Sequence, residues 1–308
     1  MINRVLIRIK VLQIVFSYYQ NETNNLKAAE SELHLSLRKA YDLYHFLLYL
    51  IVELTSLYER VIDARKHKYM PTEADLNPNT RLIENPFAQQ LSKNIALNNY
   101  VQEYKLSWQN QPDYLRSALD LMLKSDIYKG YINNADHSYE AEKEFWRATL
   151  KNVVFADPNF EELLEDLSIY WNDDIEIVKT FVLKTINRFD PAKGAEQELL
   201  PMFKDNEDRD FAFTLLRETI LNAREYQKLI DKHLQNWESE RIADMDYIIM
   251  QIAISELLHF PSIPISVTLN EYIEIAKYYS TPKSSTFING ILDSVVAGLK
   301  KEQLLLKD

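Results

Sequence analysis

Four glycines in a chain of 308 residues restrict the fold more than any other feature of this sequence. Gly130, Gly194, Gly290 and Gly298 leave little material for hairpin turns, strand bulges or glycine-rich phosphate loops, which depend on that residue. Hydrophobic residues make up 46% of the chain, which is enough to build a core. The sequence therefore predicts an all-α protein.

The C-terminal part of the chain has the clearest helical pattern. Apolar residues recur there at spacings of three and four on both sides of a proline-containing break at residues 259–264, which predicts two amphipathic helices. A third helix is predicted after Pro282, with Ser284 or Ser285 as its N-terminal cap. Inside that helix Gly290 costs about 1 kcal/mol relative to alanine, so we expect another backbone or a ligand to approach it closely.

The N-terminal part predicts a first helix over residues 5–19 and a very long second one over 26–61. The apolar face of the second helix widens over residues 44–57, which indicates burial on more than one side. Residues 65–86 are polar and contain prolines, which is typical of a loop. Several more helical segments follow between residues 88 and 189.

Four segments of the sequence resemble the NusB family, and they occur in the order that the family has. They are RIKVLQIVFSY (Arg8–Tyr18), DYIIMQIAISELL (Asp246–Leu258), PISVTLNEYIEIAKY (Pro264–Tyr278) and FINGILD (Phe287–Asp293). The resemblance implies a helical bundle of two small subdomains. We therefore expect a NusB-like core at residues 1–62 and 205–308, enlarged by a helical insertion of unknown role at residues 63–204.

The same resemblance implies the function of a non-enzymatic transcription antitermination factor. NusB proteins bind the single-stranded boxA element of nascent ribosomal RNA transcripts together with a small-subunit ribosomal protein, NusE, in the antitermination complex of RNA polymerase. By this resemblance the expected partners are RNA, NusE and that complex, with no DNA and no cofactor. The chain has no cysteine, no run of about 18 apolar residues and no signal-peptide pattern at its start, so we expect a cytoplasmic protein without a membrane partner.

The candidate RNA-binding residues are cations and one amide. Arg4 and Arg8 lie four residues apart and share a helix face, whereas Lys10 lies farther round the helix. Gln13 can read a base edge, and Lys283 is the cation of the turn before the last predicted helix. Because the net charge is −11, we expect RNA affinity to be weak without a basic ribosomal-protein partner.

The candidate partner-binding residues are Phe16, Tyr18, Asp246 and Phe287. Phe16 and Tyr18 lie two positions apart and cannot share a helix face, so at least one of them is expected to be core. Asp246 is either an interface residue or a negative charge at a helix N-terminus, where it interacts favourably with the helix dipole.

The sequence contains no pattern that indicates catalysis or a metal site. The six histidines include no pair at helical ligand spacing, and no nucleophile-elbow, Walker or dinucleotide-binding glycine pattern occurs. Two alternative functions stay open. One is a helical protein-interaction module that has lost RNA binding. The other, an RNA methyltransferase that carries a NusB-like domain, is disfavoured because a glycine-rich cofactor loop and a cysteine nucleophile are missing.

Overall fold

A computed structural model describes residues 1–21, 25–234, 242–305 and 307 of the chain. Within those ranges the protein contains fifteen α-helices, one π-helical turn and one 3₁₀ turn, and no β-strand. The prediction of an all-α protein is confirmed. The helices are α1 (Arg4–Gln20), α2 (Leu26–Lys66), α3 (Glu73–Leu76), α4 (Pro86–Ser92), α5 (Ile95–Glu103), α6 (Pro112–Lys124), α7 (Asp126–Asn133), α8 (Tyr139–Thr149, continued by the π-helical turn Leu150–Val154), α9 (Pro158–Leu167), α10 (Ile175–Arg188, followed by the 3₁₀ turn Pro191–Glu196), α11 (Asn206–Leu221), α12 (Ala223–His233), α13 (Asp244–His259), α14 (Ile265–Tyr279) and α15 (Ser284–Lys301).

Asparagine side chains start several of these helices, which explains where they begin. Asn3 accepts a hydrogen bond from the backbone N–H of Leu6 at 2.9 Å, and Asn85 and Asn94 cap α4 and α5 in the same way. Such a bond satisfies one of the N–H groups that the first helical turn leaves without a partner. The local sequence thus determines these helix starts.

The start of α15 differs from the prediction. Ser284 is its first residue, Lys283 occupies the cap position, and no side chain caps the helix. The hydroxyl of Ser284 instead donates to the carboxylate of Asp246 at 2.9 Å. The expected close approach of another backbone at Gly290 is also wrong, because a Cβ atom built there would meet no heavy atom of the protein within 4 Å.

The chain forms two compact units. The terminal unit comprises residues 2–37 and 203–308, and the central unit comprises residue 1 and residues 38–202. The C-terminal boundary lies close to the predicted end of the insertion at residue 204. The N-terminal boundary lies within α2, at Leu37–Arg38, and not at residue 62.

The second half of α2 belongs to the central unit because its side chains pack in that unit's core. The ring of Phe46 stacks on Trp108 at 3.9 Å between centroids, and the Trp108 indole donates to the Phe46 carbonyl at 3.0 Å. The Tyr44 hydroxyl lies 2.7 Å from that of Thr185 on α10. The wide apolar face predicted for α2 is therefore covered by helices that follow it in the chain.

Helix α8 is the centre of packing in the central unit, and α13 is the centre in the terminal unit. Helix α8 contacts α4, α7 and α10, while α13 contacts α1, α11, α12, α14 and α15. Every residue of α13 from Ile248 to Leu257 is buried. Across the described part of the chain, no helix combines the length and the apolar character needed to cross a membrane.

Candidate functional site

Arg4, at the first position of α1, is a half-buried cation that is already paired. Its side chain is 34% exposed, and its Nε donates to Asp208 Oδ1 at 3.1 Å. The Glu207 carboxylate lies 3.8 Å from the same guanidinium, whose carbon is 5.2 Å from the ring centroid of Phe211. Arg4 thus faces solvent but shares its charge with two carboxylates at the start of α11.

Arg8 is buried, in contrast to its predicted role in RNA binding. Only 3% of its side chain is exposed. Its Nε and Nη2 donate to the two carboxylate oxygens of Glu256 on α13, at 2.8 and 2.7 Å, and its Nη1 lies 3.3 Å from Glu271 on α14. Such a bidentate pair uses the planar guanidinium fully, so Arg8 fastens α1 to two other helices.

Glu256 is the residue that the sequence interpretation missed. It is fully buried, and besides Arg8 it accepts hydrogen bonds from the hydroxyls of Thr268 and Tyr272, each at 2.9 Å. The signal was present in the sequence, because a carboxylate inside the otherwise apolar face of α13 requires a buried donor or cation. We refer to Arg8, Glu256, Glu271, Thr268 and Tyr272 as the Arg8 network.

The electrostatics of the Arg8 network follow from burial and pairing. Burial opposes the charged guanidinium, but the hydrogen bond and the negative charge of Glu256 outweigh it and raise the pKa of Arg8 above its ordinary value. Burial, followed by the charge of Glu256, raises the pKa of the Tyr272 hydroxyl well above its usual range. Arg8 therefore stays charged and the Tyr272 hydroxyl stays protonated at neutral pH.

The other predicted RNA-binding residues differ in exposure. Lys10 is 1% exposed and cannot present its charge at the surface. Gln13 is half-buried, and Lys283 is exposed in the turn before α15. Arg4 and Arg8 both lie against the ring of Phe211, while no described contact joins Lys283 to either arginine. Of the five predicted RNA-binding residues, Arg4, Gln13 and Lys283 thus reach solvent at least in part. Arg4 and Gln13 are nine positions apart in α1, which places them on opposite sides of that helix.

Two of the predicted partner-binding residues lie at the surface. Phe16 and Tyr18 are both half-buried, so neither is the fully buried core residue that we expected of at least one of them. Tyr18 lines a groove of about 610 Å³ together with Tyr19, Leu221 and Arg224. It also borders a smaller groove of about 220 Å³ between α1 and the start of α2.

The remaining two partner-binding candidates are mostly covered. Asp246 is 5% exposed, and its carboxylate accepts hydrogen bonds from the hydroxyls of Ser280 and Ser284. It lies in the first turn of α13, as the helix-terminus interpretation expected, but its hydrogen bonds hold the turn before α15. Phe287 is 8% exposed. Burial therefore argues against a direct contact between Asp246 and a partner.

Among the described residues, no group of three or more histidine, aspartate or glutamate side chains is placed to hold a metal ion.

Comparison with known proteins points to one family. The sequence profile of the NusB family matches residues 176–297, a range that includes α10 within the predicted insertion. The transcription antitermination protein NusB of Salinibacter ruber is 42% identical over 132 residues, which cover 41% of this chain and 82% of that protein. The protein of the same name from Chloroherpeton thalassium is 44% identical over 116 residues, which cover 38% of this chain and 54% of that protein. A solved structure of T. maritima NusB is 33% identical and covers 38% of this chain and 82% of its own, with a TM-score of 0.29.

Proposed function

The chain belongs to the NusB family, and from this premise we propose that it is a transcription antitermination factor that binds boxA-type single-stranded RNA together with NusE. The RNA is the nascent ribosomal RNA transcript, and the pair acts on elongating RNA polymerase in the cytoplasm. NusB proteins are non-enzymatic, so the proposed role is that of an adaptor. The observation that carries the proposal is the similarity to most of the length of a relative named as a transcription antitermination protein.

For RNA contact we propose Arg4, Gln13 and Lys283, because these candidates reach the surface of the terminal unit. Arg8 and Lys10 are left out because their side chains are buried. For the ribosomal protein we propose the surface around Tyr18, which lines two partly apolar grooves. Phe16 is a second candidate on another face of α1 and lines neither groove. The net charge of −11 favours a basic partner over direct contact with a polyanion.

The test is the fluorescence anisotropy of a labelled boxA RNA titrated with the full chain, with and without the NusE protein of the same organism. A scrambled RNA of the same length and two salt concentrations complete the design. The proposal expects tighter and sequence-selective binding by the pair. Equal affinity for the two RNAs in the presence of the partner would refute it.

A residue-level test compares Arg4→Ala with Arg217→Ala. Arg217 is a matched control because it is also an arginine of the terminal unit in an ion pair, with Glu30. If Arg4 contacts a phosphate, its replacement lowers the salt dependence of log K by about 0.7, the value for one contact on single-stranded RNA. Arg217→Ala should leave that slope unchanged. An equal slope in both variants would remove Arg4 from the RNA site.

One observation favours the alternative of an interaction module without RNA binding. Two of the three cations of α1 are buried, and the third is paired with two carboxylates. This alternative predicts that the chain binds the ribosomal protein but adds nothing to the RNA affinity of that protein. The boxA titration with and without NusE separates the two functions.

A further inference from the structure

The end of α2 carries the densest run of lysine and arginine in this acidic sequence. Arg65, Lys66 and Lys68 occupy three of four consecutive positions, with His67 between them. Every residue from 63 to 70 is exposed. We call residues 65–70 the basic turn; it belongs to the central unit and lies outside the range that the NusB profile matches.

Two large side chains of the basic turn are exposed to solvent. Tyr69 is 100% exposed and Met70 is 80% exposed. A tyrosine ring normally buries most of its area in a core, and one without any contact presents both faces to solvent. Next to cations, a free ring of this kind offers what single-stranded nucleic acid requires, a surface for a base beside charges for the phosphates.

The roles of the three cations differ. The ammonium group of Lys68 lies 3.2 Å from a carboxylate oxygen of Asp75, so Lys68 holds the turn to α3. Asp75 in turn accepts hydrogen bonds from the backbone and hydroxyl of Thr72 and closes the turn. Among these three, Arg65 and Lys66 have no carboxylate partner in the described contacts, so they are the phosphate-binding candidates. The ring of Tyr69 follows them by three to four positions.

Neither the helix dipole nor a membrane surface accounts for the whole of this arrangement. Cations in the last turn of a helix interact favourably with the helix dipole, which explains Arg65 and Lys66 but not the exposed Tyr69. Insertion into a membrane surface needs a wide apolar face, whereas the basic turn has two apolar side chains. Single-stranded RNA is the ligand that uses the ring and both cations.

We propose that the basic turn is a second contact for single-stranded RNA, in which Tyr69 stacks on a base and Arg65 and Lys66 bind phosphates. That this RNA is the transcript rests on the proposed function. Contacts of this kind read no sequence. We therefore expect the basic turn to bind RNA that flanks the boxA element.

The experiment measures the anisotropy of three labelled RNAs with the full chain: a short boxA RNA, the same RNA with an unpaired uridine flank, and an oligouridine without boxA. The variants are Tyr69→Leu, Tyr69→Phe and the double variant Arg65→Gln/Lys66→Gln. The matched control is Lys124→Gln/Lys129→Gln, two exposed cations of the same unit. All of the substituted side chains are exposed, so each variant should fold as the parent chain does.

We expect Tyr69→Leu to weaken binding of the flanked RNA and the oligouridine about five-fold or more, and Tyr69→Phe to bind like the parent because it keeps the ring. The Arg65/Lys66 variant should lower the salt slope by about 1.4, the value for two contacts, while the Lys124/Lys129 control keeps it. Binding of the short boxA RNA should stay unchanged in all of them.

The experiment distinguishes an error in the proposed boxA function from an error in the proposed RNA contact at the basic turn. Loss of boxA selectivity with retained, Tyr69-dependent binding of oligouridine would refute the boxA function and leave the basic turn as an RNA contact. The inference is overturned if the parent chain gains nothing from the flank and does not bind oligouridine, or if the Arg65/Lys66 variant behaves like the control. Tyr69-dependent binding to anionic phosphatidylglycerol vesicles without such binding to RNA would also overturn it.

Discussion

Arg8 illustrates how one buried side chain can resemble a binding residue in the sequence. It lies four residues from Arg4, and helical geometry places both on one face of α1. That face turns toward α13 and α14 at Arg8, where Glu256 and Glu271 accept its hydrogen bonds. Breaking a buried ion pair costs far more than breaking an exposed one, because the remaining charge has no partner.

We predict that Glu256→Gln lowers the free energy of unfolding of the full chain by about 3 kcal/mol, because it removes the bidentate carboxylate partner of the buried Arg8 and leaves only the partly exposed Glu271 to balance its charge. Urea unfolding followed by circular dichroism measures the change. The control is Glu30→Gln, which removes the exposed partner of Arg217 and should cost about 1 kcal/mol or less. A small effect of Glu256→Gln would mean that the Arg8 guanidinium becomes hydrated when Glu256 no longer carries a charge.

His45, on the part of α2 that lies in the central unit, is a buried histidine that the fold keeps neutral. Its ring stacks on Tyr100 at 3.7 Å, and its Nδ1 is 2.9 Å from the carbonyl oxygen of Tyr41, to which it donates. Burial lowers the pKa of His45 from 6.5 to about 4, against the smaller opposing effect of that hydrogen bond. The folded state therefore favours the uncharged ring.

We predict that this histidine makes the chain less stable in acid. Because the folded pKa lies below the unfolded one, only the unfolded chain takes up the proton between pH 6.5 and about 4. The stabilisation is complete above pH 6.5 and is lost as the pH falls, the loss reaching about 3 kcal/mol at pH 4. Urea unfolding of the parent chain and of His45→Gln between pH 7.5 and 4.5 should show a shallower pH dependence in the variant. The exposed His67→Gln is the control and should follow the parent.

Between helices, the carboxylate of Asp246 joins the start of α13 to the start of α15. The hydroxyls of Ser280 and Ser284 both donate to it, and Ser284 also accepts a hydrogen bond from the backbone N–H of Thr281 at 3.2 Å. These bonds hold the 280–284 turn, and with it Lys283, in one place. Asp246 therefore positions Lys283, a proposed RNA contact, by holding the turn that contains it.

We predict that Asp246→Ala destabilises the chain by about 1.5 to 3 kcal/mol, the range for hydrogen bonds to a charged group. Ser284→Ala should cost less, and the double variant should cost less than the sum of the two, since both remove the same bond. Urea unfolding of the parent chain and the three variants gives the free energies of unfolding for this double-mutant cycle. Weaker binding to the ribosomal protein at unchanged stability would instead restore Asp246 as an interface residue.

For the molecule as a whole, the net charge limits how strongly the proposed RNA could be bound. The chain carries 35 lysines and arginines against 46 aspartates and glutamates. Several of these cations form ion pairs with carboxylates of the same chain, as Arg8 does with Glu256. Among the residues proposed to contact boxA RNA, the cations are Arg4 and Lys283, and Arg4 already shares its charge with Glu207 and Asp208. The protein itself should therefore neutralise few phosphates.

We predict that log K for the short boxA RNA falls with log salt concentration with a slope of only about −1.4 for the chain alone, as expected of about two phosphate contacts. Adding the basic ribosomal protein should make the slope steeper, because that protein supplies further cations. Anisotropy titrations over a series of salt concentrations measure both slopes. A steep slope without the partner would indicate a cationic surface beyond Arg4 and Lys283.

Much of the fold could be predicted because its causes are local. The scarcity of glycine, the apolar periodicity and the prolines each act over a few residues, so they indicate an all-α chain and the approximate limits of its helices without any tertiary information. The motifs in the C-terminal part likewise indicate the NusB family, and the family profile matches residues 176–297, which contain them. Asp246 and Glu256 both lie within them, but only Asp246 was predicted as a site residue.

The positions of charges relative to the surface required the assembled structure. Whether Arg8 binds RNA or a carboxylate depends on Glu256, which is 248 residues away in the chain. Periodicity shows which residues share a helix face, but not which neighbour covers that face. For the same reason the sequence did not reveal that α2 passes from one unit into the other at Leu37. Burial is a property of contacts between distant segments, and a buried charge is stable only where such a segment supplies its partner.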